Sequence, residues 1–155
     1  MKKKWLLKSE PDTFSIDDLQ NKGSSLWDGV RNYQARNFLM EMKPGDEAIF
    51  YHSNANPPGA AGVAIILDSA KVDPTQFNPE SEYFDSKATI EKPRWFCPEV
   101  GFKKKFSRLV PLGELREHEK LRNMTLLQKG SRLSVTPLVG DEFATIVDLG
   151  SSKKN

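Results

Sequence analysis

The chain has 155 residues, 37% of them hydrophobic, enough for one core with little to spare, so a single domain over residues 1–150 is expected. Its 23 basic and 21 acidic side chains leave a net charge of +2, which excludes a whole-molecule field that holds DNA by charge alone, so any contact with nucleic acid would be local. The single cysteine, Cys97, excludes an internal disulfide, and with two histidines the donor set is too small for a structural zinc site; a reducing compartment and no cofactor are expected.

The opening MKKKWLLKSEPD mimics a secretion signal, but its apolar stretch is only Trp5-Leu6-Leu7, far below the roughly 7 to 15 residues of a signal core. No window reaches the roughly 18 to 20 apolar residues that span a bilayer. With a mean hydropathy of −0.57, no membrane partner is expected. The chain starts almost directly at its first strand, without a basic extension, and a cytoplasmic location is expected, or a nuclear one in a eukaryote.

Residues 5–8 predict a short buried strand, stopped by Glu10-Pro11-Asp12. Ser15 followed by early carboxylates predicts a helix start, with Gly23 as its exit. Tyr33, Ala35, Phe38, Leu39 and Met42 recur at helical spacing, and Lys43-Pro44-Gly45-Asp46 ends that helix. Residues 48–53 and 62–69 predict paired strands joined by a proline-laden surface loop. Residues 73–93 show no sustained period and predict an ordered excursion or flap. From 94 to 106 the alternation returns, placing Phe96, Val100, Phe102 and Phe106 on one face and Lys103 and Lys105 on the other. Residues 112–118 and 124–129 predict helical turns, the second ended by Gly130; 132–137 a last strand; 141–149 a terminal helix; and 151–155 a frayed tail. Strands separated by short helices, without a regular βαβ rhythm, give an α+β domain with a curled or closed sheet.

Several segments could carry chemistry. In residues 26–33 the indole of Trp27 could stack on a base, while Asp28, Gly29, Val30, Arg31 and Asn32 lead into a helix start whose amides suit an acceptor. The competing reading makes Trp27 a core residue and Asp28 or Asn32 a cap. Tyr51, His52 and Ser53 end a strand with the mixed donors and acceptors that a base edge requires, unless His52 merely faces solvent. Lys8 and Ser9, and Arg132 and Ser134, stand at other strand ends, where the alternatives are turn chemistry and a surface ion pair. Lys103, Lys105 and Arg108 are candidate phosphate contacts or simply a solvated face. No nucleophile elbow, glycine-rich phosphate loop or HExxH is present, and a lone strand cysteine is usually inert filling, so the expected function is non-enzymatic.

The blocks WLLKSEPDTFSIDDL, WDGVRNYQARNFL, MKPGDEAIFYHSNANPPGAAG, DPTQFNPESEYFD, PRWFCPEVGFKKKF and LLQKGSRLSVTPL, in this order over nearly the whole chain, resemble the EVE domain family of the PUA-like superfamily, which is related to YTH domains. The resemblance implies a PUA-like mixed β-barrel of about five to six strands flanked by short helices, with a nucleobase pocket. It implies a reader of modified DNA, C5-modified cytosine foremost, or an RNA-binding module without base flipping; an enzyme acting on modified nucleotides is a further alternative. It also implies a monomer, and association with restriction or defence proteins in bacteria. Lys8, Ser9 and Trp27 resemble pocket residues, Asp28 to Asn32 supply polar contacts, and Tyr51, His52, Ser53, Arg132 and Ser134 form the other walls. Trp95, inside a predicted strand, leaves the second aromatic of such a pocket without a clear counterpart.

Overall fold

The structure, a computed structural model, describes residues 2–152. β1 (Lys4–Ser9) runs parallel to β3 (Glu47–His52) and antiparallel to the edge strand β6 (Val135–Leu138). Antiparallel ladders then join β3 to β4 (Gly59–Val72), β4 to β5 (Phe96–Pro111) and β5 to β2 (Ser24–Leu26), giving the order β2-β5-β4-β3-β1-β6. Six strands agree with the mixed α+β expectation. Among the described residues, however, the end strands β2 and β6 do not pair with each other, so the sheet is not a closed barrel.

The sheet is covered on both faces. Trp5 and Leu7 join Ala48 and Phe50 in one cluster with α1 (Ile16–Lys22) and α2 (Tyr33–Glu41), whereas Leu6 joins Ile49 and Tyr51 in a second cluster with α3 (Leu112–Glu117) and α4 (Glu142–Ser151). Burial on both sides explains why the central strands read as unbroken apolar runs. Register shifts along β4 and β5 break strict alternation: Val63 faces Lys104 and Ala64 faces Phe102, leaving Lys103 as the extra residue of a bulge. Phe102 therefore packs on the first cluster and Phe106 on the second, not on one face as the alternation predicts.

Local signals set the helix ends. Ser15 and Asp18 form a reciprocal capping box, Gly23 closes α1 at φ 87°, and the Asn32 side chain caps α2 by accepting from the Ala35 N–H. Tyr33, expected on the buried face of α2, is 46% exposed and stacks on Trp95 at 4.8 Å. The 73–93 excursion is ordered around Gln76, whose amide nitrogen donates to the Asp73 and Trp95 carbonyls while its oxygen accepts from the Arg94 and Trp95 N–H groups. α4 continues through Ser151, two residues beyond the predicted end, so the expected tail shortens; residues 153–155 lie outside the described residues. No helix of the described residues is long and apolar enough to cross a membrane.

One carboxylate fastens the start of β1 to the turn before β3. Asp46, 2% exposed, accepts from the Lys3 and Lys43 N–H groups and from the Trp5 indole at 3.0 to 3.1 Å. Burial alone would raise its pKa, but these donors outweigh it and hold the carboxyl below its ordinary 3.8. Asp46→Ala leaves buried donors unpaired and is expected to cost about 2–3 kcal/mol in urea unfolding at pH 7. Because the folded pKa is depressed, the advantage of the wild type is complete above pH 3.8 and shrinks as pH falls through the lower folded value.

Candidate nucleic-acid interface

Parallel pairing makes β1 and β3 end at one edge, with Lys8 opposite Tyr51 and Ser9 opposite His52. The Ser53 N–H donates to the Ser9 carbonyl at 3.0 Å, and the Lys8 N–H donates to the Ser134 carbonyl at 2.9 Å just before β6. The strand-end residues named from the sequence are thus brought together. Strand alternation nevertheless divides them between the two faces of the sheet.

On the face of the first cluster, Ser9 Oγ donates to the Phe14 carbonyl at 2.6 Å and His52 Nε2 accepts from the Ile16 N–H at 3.1 Å. Both side chains fix the connection from β1 into α1. Burial pushes the His52 pKa below its ordinary value, favouring the neutral ring that can accept this bond. Trp27 packs edge-on against Phe50 at 5.6 Å and Phe14 at 6.4 Å, and only 8% of it is exposed. Its indole N–H has no partner among the described residues and is not among the sealed polar atoms, so one polar edge of a largely buried ring reaches solvent.

The segment after Trp27 is built against the excursion. Gly29 has φ 82°, its N–H donates to Asp73 Oδ2 at 2.8 Å, and a Cβ there would lie 2.7 Å from the Tyr83 ring. Arg31 donates to Asp73, Thr75 Oγ1 and the Tyr83 carbonyl, so it braces this loop. Asn32 is likewise a cap, and Val30 packs on the core. Asp28 is exposed, and its carboxyl is raised by desolvation and by the nearby charge of Asp73. Asp73, 1% exposed, is held below the ordinary carboxylate range, against burial, by donors from Thr75, Gly29 and Arg31. Asp73 and Tyr83 were missed in the sequence; the only local signal was the Asp-Pro-Thr start of a 3₁₀ turn at Pro74–Phe77.

On the opposite face Lys8, Tyr51 and Ser53 border a cavity of about 470 Å³. Arg132 is exposed and does not line it, whereas Ser131 does; Ser134 contributes its backbone carbonyl to β1. The expected phosphate contacts are already paired: Lys103 with Glu47, Lys105 with Asp17 at 2.8 Å, and Arg108 with Glu114 through a two-pronged bond at 2.5 and 2.8 Å. Lys104, between the two paired lysines, bonds only the Ser151 hydroxyl at 2.9 Å, and Lys4 and Lys103 share the one carboxylate of Glu47, so the run keeps part of its positive charge. Burial pushes the Cys97 thiol up to about 12, so little thiolate forms at neutral pH. No cluster of His, Cys, Asp and Glu suited to a metal ion occurs among the described residues.

Comparison with known proteins agrees with this architecture. Human thymocyte nuclear protein 1 is 42% identical over 164 residues, covering 94% of this chain and 72% of that protein. A crystal structure of a Pseudomonas syringae protein is 50% identical, with a TM-score of 0.92 over 95% of this chain and 99% of that one. The crystal structure of the human THYN1 protein in complex with 5-methylcytosine containing DNA is 38% identical, with a TM-score of 0.92 over 99% of this chain and 100% of that one. The family model for the EVE domain matches residues 3–149, and the chain belongs to the EVE domain family.

Proposed function

We propose that this protein is a non-enzymatic reader of nucleic acid that accommodates a C5-modified cytosine of DNA beside Trp27. The observation that carries the reading is the likeness, over 99% of this chain, to a human protein solved in complex with 5-methylcytosine containing DNA. The local chemistry supports it: the open indole N–H of Trp27 is a donor, and the exposed carboxylate next to it, Asp28, is an acceptor suited to the exocyclic amino group of cytosine. Extruding a base costs a few kcal/mol, which contacts to its face and polar edge offset. The alternative, binding through the basic patch without base flipping, would have to displace the half-exposed pairs of Lys103 with Glu47 and Lys105 with Asp17, and it predicts no preference for a modified cytosine.

A methyl group adds only about 0.8 kcal/mol on burial, so the wild type should prefer a methylated over an unmodified cytosine oligonucleotide by about fourfold. Trp27→Phe, which keeps ring packing but removes the N–H, is expected to weaken binding, and Trp27→Ala to abolish the preference. Equal affinity of the wild type for both oligonucleotides would defeat the reading.

Asp28→Asn is expected to lower affinity about tenfold at pH 7 by replacing the carboxylate acceptor. Since its pKa is raised above 3.8, wild-type binding should weaken as pH falls toward that raised value, and the variant should lack this component. Parallel pH titrations of the two proteins, read by fluorescence anisotropy, check it.

A further inference from the structure

The cavity of about 470 Å³ on the second face is chemically unlike the surface around Trp27. Three cations line it, Lys8, Arg116 and Lys129, and no aspartate or glutamate does. None of these cations makes a side-chain hydrogen bond or ion pair among the described residues. Elsewhere on the sheet Lys4 and Lys103 share Glu47, Lys105 has Asp17 and Arg108 has Glu114. Like charges gathered around one concavity repel, and an anion between them relieves that cost.

A second observation points the same way. Tyr51 lines the cavity and is 2% exposed, yet its hydroxyl has no hydrogen-bond partner among the described residues. It is not among the sealed polar atoms, so what remains open of this residue includes the hydroxyl. Burial pushes its pKa up to about 12, so it remains a donor at any working pH. Ser53 and Ser131 add hydroxyls at the rim, while Leu112 and Leu126 give part of the wall an apolar surface that strengthens charge interactions nearby.

We propose that this cavity is a phosphate-binding site, formed by Lys8, Arg116, Lys129 and the Tyr51 hydroxyl and separate from the base-contacting surface on the other face. The cavity is large enough for a phosphate and has donors without acceptor carboxylates, which is the preference of a tetrahedral oxyanion. The group comes either from a backbone phosphodiester of the strand being read or from free phosphate. The site does not depend on the identity of the base, so it stands or falls separately from the reading of modified cytosine.

The test uses the full chain and two probes, inorganic phosphate and an unmodified oligonucleotide. Inorganic phosphate is expected to shift the amide resonances of Ser53, Gly130 and Ser131, with the shifts abolished in Arg116→Ala/Lys129→Ala, whose substituted side chains are both exposed. Tyr51→Phe, which removes one oxygen and keeps the ring, should weaken phosphate binding severalfold. If the phosphodiester is the source, the double variant lowers the slope of log affinity against log salt by about 0.9 for each phosphate it no longer neutralises, while keeping the preference for methylated cytosine. If the slope stays and the phosphate shifts disappear, free phosphate is the ligand. Phosphate shifts and salt slope both unchanged in a folded double variant would overturn the proposal, as would a wild type that shows no phosphate shifts and no dependence of its salt slope on these residues.

Discussion

The parallel pairing of β1 with β3 is the constraint on which the rest of the molecule depends. It makes two strands finish at the same edge, where Ser9 meets His52 and Lys8 meets Tyr51. Because both strands are buried on both faces, their alternating side chains serve two cores at once, Phe50 in one and Tyr51 in the other. A one-residue slip would exchange these sets, turning the apolar residues of each face toward the core of the other and moving Lys8 to the face of the first cluster. Register is therefore fixed by apolar burial on both faces.

The excursion between β4 and β5 is held by a similarly small set of groups. Asp73 joins Gly29, Arg31 and Thr75, and Gln76 closes the two ends of the segment on themselves. Arg31 also lies 5.2 Å from the centre of the Trp95 ring and 5.7 Å from that of Tyr83, so its charge is shared between a carboxylate and two aromatic faces. A segment with no helical or strand period thus becomes the outer wall beside Trp27. The loop after Trp27 is held by the Asp73 carboxylate and the Arg31 guanidinium, which leaves Asp28 exposed.

Much of this was legible in the sequence where a local rule decides the outcome. Ser15, Gly23, Asn32 and Gly130 mark helix and turn ends by their own chemistry, and the central strands announce burial by their apolar runs. What depended on distant partners was not legible. β2 is three residues long and exists because Leu26 faces Glu99 across a ladder. β4 begins at Gly59, where small residues carry little strand signal but fit beneath Val110 and Pro111. Similarly, polar residues at strand ends stand out in the sequence, yet alternation places Lys8 and Tyr51 behind the sheet from Trp27. Arg31 looked like a free donor because its acceptors, Asp73 and Tyr83, lie more than forty residues further along.

The three indoles differ in a way that gives the molecule its own optical reporter. Trp5 donates to Asp46 at 3.1 Å and Trp95 to Asp85 at 2.8 Å, so two fluorophores are each locked to a carboxylate within the fold. Trp27, 8% exposed, has an N–H without a partner among the described residues. All three rings are largely buried, so a change confined to the polar edge of Trp27 would alter its emission while leaving the other two as an internal standard. The three indoles thus report separately on the fold and on the one ring whose N–H is left without a partner among the described residues.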